Sequence, residues 1–299
     1  MVCLSTEKAR FAHNPEKIAL LTDSCADLSE KQRKGKPIFV VPLKIRCEDG
    51  EFSDGVDIFA QDIYRRQCAG EMPRTSLPDG GEVDAVLDQI AAQGYKKVLA
   101  VHLSGGLSGT YNLIRLHAQE RTDLEVRVFD SQSGSLGIGS TLLQAWEDVQ
   151  GGMSWQELAD RRVPRLLENT IPFFSVDTLE YLQKGGRIGK ITAVAGTMLN
   201  IKPIIGFSSD GQLSSVAKVR GRKAVQPKLV EMLQRHAGVH TRYNLAVANG
   251  GAPQEMAELA KKVKAAFPRP EHFWEGEIDA TLSSYIGAGV LGACIQFLD

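Results

Sequence analysis

The stretch from Val98 to Asn112, Val-Leu-Ala-Val-His-Leu-Ser-Gly-Gly-Leu-Ser-Gly-Thr-Tyr-Asn, constrains this chain more than any other. Val98 to Leu103 is a mostly apolar run that reads as a buried strand. A hydroxyl- and glycine-rich turn follows, and Tyr111, Ile114 and Ala118 then recur near helical spacing. A strand feeding such a turn at a helix N-terminus presents free backbone N–H groups and the positive end of the helix dipole. That is a receptor for a carboxylate or a phosphate. The plain alternative is a tight strand-to-helix turn of any α/β protein. The pattern recurs, however: Ile18 to Leu21 runs into Thr22-Asp23-Ser24, and Leu124 to Phe129 runs into Asp130-Ser131-Gln132-Ser133. Strands alternating with helices imply a mainly parallel sheet, with all three serine turns beyond its carboxyl edge, where such sheets bind ligands.

Between these strands, Ile38 to Ile45 is a second strand-like run whose Pro42 belongs at an edge or a bulge. Ile58, Ile63 and Tyr64 form the apolar face of a polar segment. In Thr75-Ser76-Leu77-Pro78 the proline keeps Leu77 extended, and Asp79 caps a helix through Val83, Val86, Leu87 and Ile90. The second half changes character. Ser154 to Glu157 is a capping box opening a helix that Pro164 disturbs. Phe173 to Val176 is a strand, and a helix from Asp177-Thr178-Leu179-Glu180 ends at Lys184-Gly185-Gly186-Arg187. Asp210-Gly211 between two apolar runs marks a hairpin, so this half includes antiparallel sheet. Helices are expected at 225–236 and 253–266, and strands at 243–248 and 272–278. The expected fold is α/β in two domains. After an extension at 1–16 come a mainly parallel N-terminal sheet with flanking helices at 17–165 and a C-terminal α/β domain with antiparallel sheet at 166–299.

A net charge of −1 gives no global basic field to invite nucleic acid. Five scattered cysteines form no CxxC pair and leave an odd one, as expected of reduced thiols in a cytoplasmic protein. The first 17 residues have no apolar core, so they do not read as a secretory signal, and nowhere do ~18 apolar residues run together as in a membrane span. Gly287-Ala288-Gly289-Val290-Leu291-Gly292 matches the dinucleotide fingerprint, but too close to the C-terminus for the βαβ unit it needs. Gly186 to Ile191 misses a P-loop in spacing and lacks its Ser/Thr, and no serine turn has G-x-S-x-G. His102 could activate a serine or serve as a satisfied core histidine. No His/Cys/Asp cluster has metal spacing, and neither metal nor cofactor is expected.

These residues carry a resemblance. Thr22-Asp23-Ser24, Thr75-Ser76-Leu77-Pro78, Leu103-Ser104 with Leu107-Ser108-Gly109-Thr110-Tyr111, and Asp130-Ser131 resemble the DegV family in order. So do Val176 to Leu182, Lys184-Gly185-Gly186-Arg187-Ile188-Gly189, and Leu199-Asn200-Ile201-Lys202-Pro203-Ile204-Ile205, so that the match covers nearly the whole chain after residue 17. The resemblance implies a two-domain fold that binds a long-chain fatty acid between its domains. It further implies a subunit without catalysis of its own, presenting the fatty acid to a separate bacterial fatty acid kinase that makes the acyl phosphate.

Carried over by the resemblance, the carboxylate-binding positions are Thr75, Ser76, Ser104, Gly105, Ser108 and Tyr285. Gly105 stands where the family commonly has a second serine, and Tyr285 where it usually has a histidine. A tyrosine still donates one hydrogen bond but carries no positive charge near neutral pH. Ile191, Ala193, Val194, Met198, Leu199, Ile201 and Ile204 are the candidate acyl-chain tunnel, with ordinary core as the alternative. Lys184, Arg187 and Lys190, and Lys218, Arg220, Arg222 and Lys223, form two basic clusters. Arg187, Arg220 and Arg222 are the candidate partner-facing residues for the kinase. No integral membrane association is expected, though transient contact with a membrane surface is compatible with this chemistry. A second class of function remains open, an enzyme or carrier for a small phosphorylated compound. An apolar cavity discriminates the two, since a sugar phosphate needs none.

Overall fold

The structure is a computed structural model in which residues 11–191 and 200–299 are described. The chain opens with β1 (Ile18–Asp23), every residue of which is buried, as a strand sandwiched between helices requires. β2 (Ile38–Val41) ends where Pro42 withholds its N–H, and the run continues as β3 (Lys44–Cys47) in a different sheet. The expected single strand over 38–45 is therefore two, broken at the proline. β3 pairs antiparallel with β4 (Gly50–Ser53) and with β5 (Arg74–Ser76), making a small three-stranded sheet. Helix α1 (Ala60–Cys68) lies between β4 and β5. Asp79 caps α2 (Gly80–Ala92) by accepting from Gly81 N–H at 2.8 Å.

β6 (Lys97–His102), α3 (Thr110–Gln119) and β7 (Glu125–Asp130) complete the first half. The four-stranded sheet runs β2-β1-β6-β7 with every pairing parallel, so the three serine-bearing turns leave one edge together. Helix α4 (Leu136–Gln150) follows and is buried along nearly its whole length. It packs on β1 and β6 on one side, and on β8 (Thr170–Ser175), β11 (Tyr243–Gly250) and β13 (Val290–Phe297) on the other. Gly139 permits that approach, because a Cβ there would stand 2.6 Å from the carbonyl oxygen of Ala26. Ser154 caps the next helix through Glu157 N–H, and the turn loosens over Leu158–Arg162 just before Pro164.

The second half is a six-stranded mixed sheet, ordered β10-β9-β8-β13-β11-β12, with β9 (Ile201–Phe207), β10 (Leu213–Arg220) and β12 (Phe273–Glu277). β9 and β10 form the hairpin expected at Asp210-Gly211, and only β11 and β12 pair in parallel. One face is covered by α6 (Val225–Ala237) and α7 (Pro253–Ala266), whose Leu229, Leu233, Leu259 and Val263 close on Ile204, Val247, Leu291 and Ile295. The other face meets α4, α5 (Glu180–Lys184) and α8 (Ala280–Ile286). Along that second face the strands carry Ala246, Ala248, Gly292 and Cys294, too small to fill the layer.

Candidate functional site

The layer left unfilled is an apolar cavity that opens to solvent at its mouth, about 730 Å³ with that open space included. Its walls are Pro172 and Phe174 of β8, Ala246 and Ala248 of β11, and Gly292 and Cys294 of β13. Leu136 and Gly137 of α4 and Leu282 and Ile286 of α8 complete them. Arg187 is the sole charged side chain among the described lining residues, and Tyr285 stands beside it.

Four elements converge where those two polar groups stand. The Tyr285 hydroxyl and Thr75 Oγ1 are 2.6 Å apart, joining α8 to β5. The Arg187 guanidinium lies 5.1 Å from the centre of the Tyr285 ring, a cation–π distance. It donates from Nη1 to the Gly185 carbonyl at 2.9 Å and from Nε to the Leu107 carbonyl at 3.4 Å, reaching the loop after β6. Gly185 makes the arrangement possible: a Cβ there would overlap the Tyr285 ring at 2.4 Å. A hydroxyl pair and a guanidinium at the polar end of an apolar slot form the donor set that a carboxylate at the end of an alkyl chain requires.

The other end of α8 is held by carboxylates. Asp27 accepts from Asp279 N–H at 2.8 Å and from the Ser135 hydroxyl. Asp54 accepts from Ala280 and Thr281 N–H at 3.1 and 3.2 Å, and Asp279 caps the helix through Leu282 N–H at 2.6 Å. Burial pushes the Asp27 carboxyl up to about 7, raises that of Asp54, and lifts that of Asp279 well above the ordinary carboxylate range. Tyr64 of α1 clasps the middle of α8, its hydroxyl 2.9 Å from Ser283 Oγ.

Of the expected carboxylate-binding residues, the structure brings Thr75 and Tyr285 together. Ser76 is exposed on the same short strand. Ser104 is fully buried, donating to the Gly211 carbonyl at 2.7 Å and accepting from Gly106 N–H at 3.1 Å, so its hydroxyl ties the loop to the hairpin. The Gly105 N–H is engaged by Asp130 Oδ1 at 3.0 Å, and Ser108 Oγ lies 2.8 Å from Thr110 Oγ1. His102 is a buried tie, its Nδ1 3.0 Å from Asp23 Oδ2.

Of the expected tunnel residues, Ala193, Val194, Met198 and Leu199 lie outside the described residues. Ile191 is buried in the core cluster beside the cavity, Ile201 is half-buried at the start of β9, and Ile204 faces α6 on the opposite side of the sheet. The described lining also includes small residues that the sequence analysis does not single out, Ala246, Ala248, Gly292 and Cys294, whose one signal is their alternation along the two strands. Arg222 is bound to Glu255 at 2.8 Å and to Asp177 at 3.3 Å, whereas Arg220 is exposed at the end of the edge strand β10.

Comparison with known proteins accords with this architecture. The DegV family model, described as that of an uncharacterised protein family, matches residues 17–298. A DegV domain-containing protein of Clostridium perfringens is 34% identical over 281 residues, covering 94% of this chain and 99% of that one. The structure reported for fatty acid binding of a DegV family protein from Thermus thermophilus superimposes with a TM-score of 0.88 at 31% identity, covering 94% of this chain and 100% of that one. DegV from Bacillus subtilis, described as a fatty acid binding protein, gives 0.83 at 27% identity, with 94% and 99% covered. No helix among the described residues is long and apolar enough to cross a membrane.

Proposed function

The chain belongs to the DegV family, and from that premise we propose that it binds one long-chain fatty acid and presents the carboxylate to a separate fatty acid kinase. The observation that carries this reading is the apolar cavity lined by Tyr285 and Arg187, with Thr75 paired to the Tyr285 hydroxyl behind them. Burying about fourteen methylenes of a palmitate at roughly 0.8 kcal/mol each gives about 11 kcal/mol before association costs. Each hydrogen bond to the charged carboxylate adds about 1.5–3 kcal/mol. The slot thus supplies most of the affinity, and the polar trio sets which end of the ligand faces outward. The mostly apolar walls disfavour a small phosphorylated compound.

In this reading the chain has an N-terminal unit at 17–165 and a C-terminal unit at 166–299, with the fatty acid held between elements of both. Gly134 to Gly137 contribute from the first, and β8, β11, β13 and α8 from the second. The chain works in the cytoplasm, meets membrane surfaces transiently and carries no phosphoryl-transfer chemistry of its own. Arg220, with Lys218 on the same outward face of β10, belongs to the surface that meets the kinase, and Arg187 stands at the junction between that surface and the carboxylate.

Denaturing extraction of purified protein, followed by mass spectrometry, is expected to release a long-chain fatty acid. Delipidated protein with a fatty acid kinase and ATP is expected to convert added palmitate or oleate to acyl phosphate. No extracted fatty acid together with no binding of added palmitate or oleate overturns the binding; binding without acyl phosphate overturns the kinase role alone.

A further inference from the structure

The cavity wall at Cys294, four residues along its strand from Val290, changes chemistry in a single step. Cys294 is paired across the sheet with Pro172 on one side and Ala246 on the other, and all three line the cavity. Two residues farther along each strand, about 6.6–6.8 Å by strand rise, the next row on that face is Thr170, Gln296 and Asn244. On α4 the same progression leads from Gly137, which lines the cavity, to Thr141 and Gln144, one and two turns on.

These side chains are bonded to one another without a gap. Gln296 Nε2 donates to Thr170 Oγ1 at 2.8 Å and to Thr141 Oγ1 at 3.2 Å. Asn244 Nδ2 donates to Gln144 Oε1 at 2.8 Å and to Gln296 Oε1 at 3.1 Å, and Asn244 Oδ1 accepts His272 N–H at 3.1 Å. The outer ends are anchored too: Thr141 donates to the Gly137 carbonyl, Thr170 to that of Leu166, and Gln144 to Asp148. Thr141, Gln144, Asn244 and Gln296 are all buried.

We propose that this buried amide network is the end stop of the acyl cavity and sets the longest fatty acid that the protein holds, an inference that rests on the fatty-acid reading above. An apolar end wall yields to a longer chain by repacking, since one hydrophobic contact replaces another. A closed hydrogen-bonded network does not yield in that way. Each further methylene gains less by burial than one amide loses when it is left buried without its partner. The network therefore rejects length rather than tolerating it, and it does so where no polar group meets the ligand in its preferred register.

The test is competition among saturated fatty acids of graded length, from laurate to behenate, for delipidated wild type, Gln296→Ala and Gln296→Met. Wild type is expected to show a sharp loss of affinity beyond one length. Gln296→Ala opens the row and is expected to raise affinity for the next longer acid relative to the optimal one about tenfold, the value of accommodating roughly two more methylenes. Gln296→Met keeps the volume without the amide and shifts the limit in the same direction by less, so it carries the test if the alanine variant does not fold. An unchanged length limit in a folded variant that still binds palmitate overturns the end stop and leaves fatty-acid binding standing. Absence of binding to every acid by wild type overturns the fatty-acid reading, and the end stop with it.

Discussion

Thr75 and Tyr285 meet oxygen to oxygen at 2.6 Å across 210 residues of chain. One sits on a three-residue strand of the small antiparallel sheet, the other on the last turn of α8, and neither has a local reason to find the other. With Arg187 over its ring, Tyr285 lines a cavity whose other walls are mostly apolar.

Tyr285→Phe and Thr75→Ala are each expected to weaken palmitate binding by about 1–3 kcal/mol, as removal of a hydrogen bond to a charged group does. The double variant should cost less than the sum, because the hydroxyls share one bond. Ser76→Ala, on an exposed side chain, should change affinity by less than about 0.5 kcal/mol. Titration calorimetry on delipidated protein reads all four, and a Ser76→Ala effect larger than that of Tyr285→Phe would reassign the donors.

Gly106→Ala is expected to destabilise more than Gly105→Ala. A Cβ at 106 would stand 2.6 Å from the Asp210 carbonyl oxygen and 2.8 Å from Gln212 N, both backbone, whereas at 105 it meets the Asp130 carboxylate at 2.7 Å, which can swing aside. Overpacking against backbone costs about 1–3 kcal/mol. Thermal melts of the two variants rank them, and equal midpoints would show that the hairpin moves freely.

Asp279→Asn probes the carboxylates under α8. An acid whose folded pKa exceeds its unfolded value near 3.9 binds more protons in the native state, so its contribution to stability falls as pH rises above about 4. Burial raises Asp27 to about 7 and Asp279 well above its ordinary range, so the loss continues through neutrality. Asparagine keeps the cap on Leu282 N–H without the charge. Its advantage over wild type should be smallest near pH 4 and reach about 1–3 kcal/mol by pH 8, read by melting across that range. An advantage that shrinks with rising pH would reverse the assignment.

Arg220→Glu is expected to slow acyl phosphate formation with the kinase while leaving palmitate affinity unchanged, because Arg220 is exposed on β10 away from the cavity. Charges at an interface rim act chiefly on association rate, so the wild-type rate should fall as salt rises and the variant's should fall less. An Arg220→Glu rate equal to wild type at low salt would remove this residue from the interface.

What the sequence displayed, and what it hid, divide along a physical line. Features decided within a few residues were legible: the hairpin at Asp210-Gly211, the cap at Asp79, and the parallel strands ending in serine turns. The family resemblance puts Ser104 among the carboxylate-binding positions, and nothing near it in the sequence shows what its hydroxyl bonds. Its acceptor, the Gly211 carbonyl, is 107 residues away. Of the candidate tunnel run from Ile191 to Ile204, Ile191 packs beside the cavity and Ile204 on the other face of the sheet. Empty space has no apolar signature. It arises where Ala246, Ala248, Gly292 and Cys294 fail to fill a layer, and that depends on which strands become neighbours.

Helix α4 carries a consequence for how a ligand enters. Ile138, Leu142 and Trp146 belong to the core above β1 and β6, while Leu136 belongs to the core around the cavity. Each half also keeps a core cluster of its own, so this helix is the shared layer between two otherwise separate interiors. A hinge that swung the halves apart would have to tear that helix from one of them. If the cavity takes a chain-like guest as proposed, a path at the rim, where the short α5 and α8 pack together, would leave that helix seated on both sheets.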